Sequence, residues 1–291
     1  MAEVKNRIGE LSTEQLNLLE IHLKQRRVNG QADTPIVDTG VGPWRLSFAQ
    51  ERIWLLDKLE PASVAYNIGW ALRLKGSLDV HALQQACDAV VARHETLRTV
   101  VRDVEGTPFQ YVEAARPVEF RVIDATEEKT CDLLSEQTRR RFDISCDLMI
   151  RATLLRLHVD EHILLLVLHH ISSDGWSRDI LFRELSEFYA AFTGERALNL
   201  PNLPITYKGF AQWQRQWLDL GPLDAQLAYW KKQLGGAPSV LNLPLDKPRP
   251  GAQSYEGAVE VSCVDKDLVR GLKALGKEEN ATLYMVLLAA F

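Results

Sequence analysis

The sequence predicts a mixed α/β protein with two lobes, and three features of the chain indicate this. Its 291 residues exceed the roughly 100 to 200 residues of a typical single domain. Apolar residues recur at helical spacing in some segments, whereas in others they alternate or run continuously, as strands do. A stretch rich in glycine and proline, 235–250, separates two groups of such segments. We interpret it as a crossing between lobes.

The composition excludes several classes of protein. Hydrophobic residues make up 46% of the chain and charged residues 25%, which is typical of a folded, water-soluble protein. The net charge of -5 and the lack of a long basic run argue against nucleic acid or an anionic membrane surface as a partner. No apolar run approaches the roughly 18 residues of a membrane helix. Residues 1–20 lack the apolar core of a signal peptide.

Cysteine usage points to a reducing compartment. The four cysteines, Cys87, Cys131, Cys146 and Cys263, form no C-x-x-C pair and have no zinc-ligand spacing. We therefore expect four buried, reduced thiols and a cytoplasmic location.

The first 43 residues divide into two parts. Residues 1–30 carry leucine and isoleucine at helical spacing, which predicts short amphipathic helices that serve either as a linker or as a docking element. Residues 31–43 lose this periodicity and gain glycine, proline and aspartate, which predicts a linker. The main domain is therefore expected to begin near Trp44.

Residues 44–220 are predicted to form the first lobe. Helical spacing of apolar residues indicates core-facing helices at 47–59 and 78–94. Between them, Asn67–Leu74 alternates like a strand and ends at a Lys-Gly-Ser turn. The lobe thus starts with a helix, a strand and a second helix.

The next four strands are predicted to pair as two hairpins. Thr99–Val104 is joined to Pro108–Val112 across a Glu-Gly-Thr turn, and Arg151–Val159 to His162–His170 across Asp-Glu. The run Ile163–Leu168 is apolar without alternation, as in a strand that is covered on both faces. We therefore expect this strand to be central in its sheet.

A loop at 171–174 separates the second hairpin from three predicted helices. Residues 176–193 form the first of them, and Gly194 ends it. An aromatic helix at 207–220 and a further helix at 225–234 follow a proline-rich break.

Residues 221–291 are predicted to contain the crossing segment and the start of a second lobe. Val259–Cys263 is predicted as a strand and Asp267–Leu275 as a helix. Leu283–Phe291 is an apolar helix that reaches the last residue without a polar cap. We therefore expect the chain to be truncated within its second lobe.

A histidine pair ends the predicted central strand and opens the loop His169-His170-Ile171-Ser172-Ser173-Asp174-Gly175. Because successive side chains of a strand point to opposite faces, one histidine should face a cavity and the other the packing. This argues against a metal site, because both imidazoles would have to bind the same ion. A neutral imidazole can instead take a proton from an attacking amine or hydroxyl. His170, which adjoins the loop, is the better candidate for that role.

The rest of the loop suggests how the site is shaped. Asp174 can cap backbone N–H groups or bind an arginine that fixes the loop. Gly175 permits a tight bend and close approach by substrate, and its N–H is a candidate donor to an oxyanion. No serine or cysteine lies in a nucleophile-elbow setting, so acyl transfer would proceed by direct attack of one substrate on the other. From these residues alone, a purely structural histidine pair stays an alternative.

Four separated segments agree in type, order and spacing with one protein family. They are Ser47–Leu56, Arg93–Thr99, His169–Ser177 and Tyr207–Gln214. Together they resemble the core motifs of nonribosomal peptide synthetase condensation domains, and the resemblance covers nearly everything after residue 43. It implies an α/β (α+β) fold of the chloramphenicol acetyltransferase-like type, with two lobes around a tunnel. The first lobe would be complete and the second only partly present.

The resemblance also implies a reaction and partners. In the family, the amine of an acceptor aminoacyl thioester attacks the carbonyl of a donor aminoacyl, peptidyl or acyl thioester. Phosphopantetheine arms of donor and acceptor peptidyl carrier proteins carry the substrates, so no covalently bound cofactor and no metal is expected. Neighbouring synthetase modules, including a downstream adenylation domain, are implied as further partners.

Residue roles follow from the matching positions. His170 matches the family's essential second histidine, which acts as a base or positions the amine, and His169 is its packing-side neighbour. Asp174 matches an aspartate regarded as structural, and Gly175 shapes the loop with it.

The resemblance extends to four supporting residues. Arg52 and Arg93 match positions that stabilise the site region, although a surface or packing ion pair explains both equally well. Trp176 and Ser177 follow Asp-Gly in the reverse of the Ser-Trp order of epimerization domains.

The sequence departs from the family pattern at two points, and two alternative functions stay open. Gly209 stands where the family commonly has aspartate, and the chain ends before a later Asn-Thr-containing motif, so we expect the fragment alone to be inactive. A stand-alone acyltransferase with an H-x-x-x-D motif is one alternative. A noncatalytic module that only docks a carrier protein is the other.

Overall fold

A computed structural model describes residues 42–61, 63–249, 251 and 260–291. The helices predicted within residues 1–30 and most of the predicted linker lie outside the described residues. The chain divides into two compact units between Leu243 and Pro244, which falls inside the predicted crossing segment. Each unit is described by itself. No helix in the described part of the chain is both long and apolar enough to cross a membrane.

The larger sheet of the first unit has four strands. They are β2 (Asn67–Lys75), β5 (Glu119–Asp124), β6 (Ile150–His158) and β7 (Glu161–His169). Their spatial order is β2-β7-β6-β5, with β7 antiparallel to both neighbours and β5 parallel to β6. The predicted hairpin of β6 with β7 and the central position of β7 are therefore confirmed.

The smaller sheet contains the first predicted hairpin. Its strands are β1 (Trp44–Arg45), β3 (Thr99–Val104) and β4 (Thr107–Val112), in the order β1-β4-β3. Glu105 and Gly106 close the hairpin with φ angles of 53° and 79°. Two consecutive positive φ angles are typical of the tight turns that match strand twist, which explains a glycine at the second position.

Six α-helices and two short 3-10 helices, Glu95–Arg98 and Glu127–Lys129, complete the described part of the first unit. The α-helices are α1 (Phe48–Leu59), α2 (Val80–Arg93), α3 (Thr130–Thr138), α4 (Ser177–Phe192), α5 (Tyr207–Asp219) and α6 (Pro222–Leu234). All except α3 confirm helices predicted from apolar spacing. Ser47 caps α1 in a full capping box with Gln50, as its sequence motif requires. Thr206 caps α5 by accepting the backbone N–H of Gly209. The glycine that stands here in place of the family's usual aspartate therefore leaves the helix intact.

The main core lies between the larger sheet and helices α2 and α4. The even-numbered residues Leu164, Leu166 and Leu168 of β7 contribute to this cluster. The odd-numbered Leu165 and Val167 pack on the other face. Both faces of β7 are therefore buried, which explains why its sequence is continuously apolar.

The second unit contains two described helices, α7 (Lys266–Glu278) and α8 (Leu283–Ala290), which contact each other. Both confirm predicted helices. The predicted strand at 259–263 is wrong for its described residues 260–263, which form no strand. A strand needs a neighbour for its backbone hydrogen bonds, and the described part of this unit has no strand to pair with.

The expectation of four buried thiols is wrong for three of them. Only Cys87 is buried, in the main core, and burial raises its thiol pKa to about 12. Cys131, Cys146 and Cys263 are exposed. They lie in the first turn of α3, in a loop and ahead of α7, where no core face is available.

Gly69 in β2 is required by close packing, and this gives a first testable prediction. A Cβ at this position would lie 2.8 Å from Oγ1 and 3.1 Å from Cγ2 of Thr138. We expect Gly69→Ala to lower the free energy of unfolding by about 1–3 kcal/mol, because overpacking forces neighbouring atoms to shift. Urea denaturation measures the loss. In a Thr138→Ala background, which removes both atoms, the same substitution should cost less than half as much; an unchanged cost would contradict the steric explanation.

Candidate active site

The histidine pair lies at the point where β7 leaves the sheet. The His169 N–H donates to Met149 O at 3.2 Å and the His170 N–H to Tyr66 O at 2.8 Å. The strand ends at His169, and a turn begins at His170. Ser172 then turns the chain, because its N–H and its hydroxyl both donate to the His169 carbonyl, at 3.0 and 2.9 Å. The loop is therefore anchored directly to the end of a buried strand.

His169 faces the packing, as one histidine of the pair was predicted to do. It continues the odd-numbered face of β7, is 4% exposed, and its ring centroid lies 5.9 Å from that of Phe142. Its Nδ1 accepts the Ile171 N–H at 3.3 Å. Burial lowers the pKa of His169 to about 4, with smaller contributions from His170 and Arg151. The ring is therefore neutral near pH 7, with its proton on Nε2.

His170 is exposed and has a defined tautomer. Its Nδ1 lies 2.8 Å from the Ser173 carbonyl oxygen. Because a carbonyl oxygen only accepts hydrogen bonds, Nδ1 must carry the proton in this pair. The neutral ring then has its lone pair on Nε2. An exposed imidazole with a free Nε2 lone pair is the arrangement that accepting a proton from an amine requires.

Asp174 lies two residues before the N-cap position, Trp176, and caps the first residue of α4 with its side chain. Its Oδ1 accepts the N–H of Ser177 at 2.9 Å and the Ser177 hydroxyl at 2.7 Å. These hydrogen bonds to Ser177 lower the pKa of the Asp174 carboxyl below its usual 3.8. The predicted capping contact is therefore present. Within the described residues, its partners are this first helical turn and not an arginine.

This cap gives a pH-dependent stability prediction. We expect Asp174→Ala to lower the free energy of unfolding by about 0.5–1 kcal/mol at pH 7, as loss of an N-cap does. Because folding depresses the Asp174 pKa, the stabilisation is complete above the usual, unfolded pKa of 3.8 and is lost as pH falls through the folded pKa. Urea titrations of both proteins between pH 2 and 7 should converge at low pH. Asp179→Ala, an exposed acidic residue in the same turn, is the control and should show a smaller difference.

Gly175 and Trp176, which follow Asp174 in the loop, are both exposed to solvent. A Cβ at Gly175 would meet nothing within 4 Å, and its φ lies outside the left-handed region. The bend itself therefore does not require glycine, so the expectation that Gly175 is needed for a tight bend is wrong. The expectation that Gly175 allows close approach by a substrate stays a prediction. Trp176 is 85% exposed, so the site loop carries a large aromatic side chain in solvent.

The two arginines differ in their surroundings. Arg52 is exposed on α1 and forms no ion pair with another described residue. Arg93, at the end of α2, donates from Nε to Glu184 at 2.9 Å and from Nη2 to the Pro201 carbonyl oxygen. Arg93 thus joins α2 to α4, the helix that the site loop leads into.

Glu184 is a residue that sequence reasoning missed. It is 3% exposed on α4, and the same oxygen that binds Arg93 also lies 2.6 Å from Nε2 of His94. The available signal was its position between Leu181, Leu185 and Phe188 on the apolar face of the helix. A lone carboxylate on such a face is costly to bury unless it is paired.

The described residues include no group of three or more His, Cys, Asp or Glu side chains that could hold a metal ion. The expectation that no metal takes part stays a prediction.

Comparison with known families shows which family this chain belongs to. The family profile described as "Condensation domain" matches residues 42–291, which is most of the chain. The chain belongs to the condensation-domain family. The matched segment starts two residues before the predicted domain start at Trp44.

Curated relatives of this condensation domain are peptide synthetases. One of the linear gramicidin synthase proteins from Brevibacillus parabrevis is 43% identical over 253 residues, which cover 84% of the chain and 5% of that protein. Phosphinothricin tripeptide synthetase PhsC from Streptomyces viridochromogenes is 37% identical over 300 residues, covering all of the chain and 28% of that protein. The condensation domain thus spans a small part of each relative.

Solved structures confirm the fold class. The X-domain from teicoplanin biosynthesis matches with a TM-score of 0.77 and 30% identity, over 85% of the chain and 56% of that structure. A complex of the same kind of X-domain with OxyB matches with a TM-score of 0.76. The first condensation domain of the calcium-dependent antibiotic synthetase, at 24% identity and a TM-score of 0.61, shares the fold over 67% of the chain and 48% of that structure. The mixed, chloramphenicol acetyltransferase-like fold class is therefore confirmed.

Proposed function

We propose that this condensation domain forms peptide bonds between two acyl groups that carrier proteins present as thioesters. The acceptor amine attacks the donor thioester carbonyl, a C–N bond forms, the C–S bond breaks, and the amine proton ends on the released thiol. The observation that carries the proposal is the exposed His170 ring, whose Nδ1–H is held by the Ser173 carbonyl. This hydrogen bond leaves Nε2 as the acceptor.

Two roles of His170 are compatible with that geometry. As a general base, Nε2 takes the proton as the amine attacks, which typically accelerates a reaction about 10²- to 10⁴-fold. As a positioning group, Nε2 accepts a hydrogen bond from the amine and holds its lone pair toward the carbonyl. Both roles need a neutral ring with Nδ1 protonated, and the Ser173 contact favours that tautomer.

Direct transfer of an acyl group between two substrates requires partner proteins that deliver both substrates. We propose that phosphopantetheine arms of a donor and an acceptor carrier protein bring the two thioesters to His170, with no cofactor bound to the condensation domain itself. A downstream adenylation domain of the same synthetase would load the acceptor. The similarity to gramicidin and phosphinothricin tripeptide synthetases supports a module of this kind.

An assay of dipeptidyl thioester formation tests this function. Because the chain spans 48 to 56% of the solved structures compared above, the assay extends it by the remaining half of a solved condensation domain. Donor and acceptor carrier proteins are loaded with different amino acids, and product on the acceptor carrier is measured by mass spectrometry. We expect product from the extended protein and none from the 291-residue chain alone. No product from an extended protein that is folded would contradict the proposal.

A noncatalytic docking function is the second candidate, favoured by the similarity to an X-domain that forms a complex with OxyB. Under this alternative, the chain binds a carrier protein or enzyme but transfers no acyl group. The same assay separates the two, because a docking module should retain carrier protein in a pull-down while dipeptidyl thioester stays absent. In that case His170→Ala should leave binding unchanged.

A further inference from the structure

Tyr66 is the cross-strand neighbour of His170, the candidate catalytic residue. Asn67 of β2 pairs with His169 of β7, so Tyr66 directly precedes this pair on one strand and His170 directly follows it on the other. The Tyr66 carbonyl oxygen accepts the His170 N–H at 2.8 Å. Tyr66 therefore extends the contact between β2 and β7 by one residue, as far as His170.

The Tyr66 ring lies beside both imidazoles of the histidine pair. Its centroid is 6.4 Å from that of His170, with the two ring planes at 65°. It is also 6.4 Å from that of His169, with the planes at 53°. Edge-to-face pairs of aromatic rings are favourable at centroid separations of about 4.5–7 Å. The imidazole of His170 thus has a second contact in addition to the hydrogen bond from its Nδ1 to Ser173.

Tyr66 is itself held in place by its surroundings. Its side chain is half-buried and packs against a buried cluster that contains Ile53 of α1, Met149 and the loop residue Ile171. The next residue along the chain, Asn67, donates from Nδ2 to two carbonyl oxygens at and just after the end of α3, at 2.7 and 2.9 Å. Both the backbone and the ring of Tyr66 are therefore fixed to buried parts of the first unit.

A single hydrogen bond restrains an exposed imidazole only weakly. The His170 ring can turn about two side-chain bonds, and its hydrogen bond to the Ser173 carbonyl oxygen competes with hydrogen bonds to water. When the ring turns away, Nδ1 loses its acceptor and the proton can move to Nε2. That tautomer has no lone pair on Nε2 for an attacking amine. A second contact on the ring therefore raises the fraction of His170 that is competent to accept a proton.

We propose that Tyr66 is a positioning residue, whose ring holds the His170 imidazole in the orientation and tautomer that leave Nε2 free to accept a proton. The inference rests on the proposed function, because Tyr66 acts on the reaction only through His170. The role belongs to the ring, so Tyr66→Phe should keep it, whereas Tyr66→Leu and Tyr66→Met should lose it. All of these variants keep the carbonyl group of residue 66, which separates the ring contact from the backbone hydrogen bond. The flexible methionine side chain provides a second ring-less variant where leucine impairs folding.

Nitrogen NMR of the 291-residue chain tests the positioning without any catalysis. The seven histidines are labelled with ¹⁵N, and the His170 signals are identified by their loss in His170→Ala. Spectra are recorded at about pH 8.5, where histidine is ordinarily neutral. We expect the proton on Nδ1 of His170 in the wild type and in Tyr66→Phe, and a tautomer ratio shifted at least about twofold toward protonated Nε2 in both ring-less variants. The same ratio in all of these folded proteins would overturn the positioning role.

Kinetics of dipeptidyl thioester formation by the extended protein separate positioning from a general loss of structure. We expect Tyr66→Leu to lower kcat about three- to tenfold with little change in KM for either loaded carrier, because an aromatic contact biases a ring orientation by about this factor. Tyr66→Phe should retain the wild-type kcat. Tyr111→Leu, which removes another half-buried tyrosine ring, on β4, is the matched control and should change neither constant.

The outcomes distinguish this inference from the function on which it rests. A Tyr66→Leu protein with the wild-type kcat, or a Tyr66→Phe protein as slow as Tyr66→Leu, would overturn the inference and leave the proposed function standing. No product from the wild-type extended protein would contradict the function itself, while the tautomer ratios would still test the contact between Tyr66 and His170.

Discussion

Replacing His170 with alanine is expected to lower the rate of dipeptidyl thioester formation about 10²- to 10⁴-fold in the extended protein. The expected loss is this large because His170 presents a free Nε2 lone pair at the surface of the loop. The substitution removes that acceptor without opening a core cavity, since the side chain is exposed. Folding, checked by urea denaturation, should therefore change little.

Two matched variants separate chemistry from loop structure. His170→Asn keeps an N–H near the Ser173 carbonyl oxygen but lacks the Nε2 lone pair, so we expect it to be as inactive as His170→Ala. His81→Ala changes an exposed histidine on α2 and should leave the rate unchanged. An asparagine variant with near wild-type activity would show that His170 only shapes the loop.

Removing the Glu184 carboxylate is expected to cause a large loss of stability. Glu184→Ala leaves the Arg93 guanidinium without its counter-charge and the His94 ring without its hydrogen-bond partner, and breaking a buried pair costs about 3–5 kcal/mol. Arg93 and His94 are partly exposed, at 16% and 21% of their side chains, so solvent screens part of this cost. We therefore expect a decrease of about 2–4 kcal/mol in the free energy of unfolding.

A second glutamate on the same helix provides the control for this prediction. Glu187 pairs with Arg196 at 2.9 Å, but the arginine side chain is 55% exposed. Glu187→Ala should cost no more than about 0.5–1 kcal/mol, as exposed ion pairs do. Equal losses from both substitutions, measured by urea denaturation at pH 7, would show that the Glu184 network does not hold α2 to α4.

Several of the elements that the sequence predicted are buried on one face or on both. α1, α2 and α4 each bury one face, and β7 buries both, so apolar spacing reports their structure directly. β5 was missed because it is an edge strand in which no residue is buried and charged residues are mixed with apolar ones. Its place is set by parallel pairing with β6, a contact that local sequence does not encode.

The same distinction applies to the site. Strand alternation correctly predicted that His169 turns inward, and the position of Asp174 at a helix start correctly predicted a cap. Sequence did not reveal Glu184, because its two partners lie about 90 residues away. It also did not reveal that the Tyr66 ring lies beside His170, since this contact forms only when β2 pairs with β7.

The central claim is that the acyl group passes directly from one carrier protein to the other at His170, with no covalent enzyme intermediate. Intact-protein mass spectrometry of a rapidly quenched single turnover tests it most directly, with donor-loaded and acceptor-loaded carriers mixed with the extended protein. We predict that the acceptor carrier gains the mass of the donor acyl group while the mass of the condensation protein stays constant at every time point. A condensation protein that transiently gains the acyl mass, or an acceptor carrier that never does, would contradict the account.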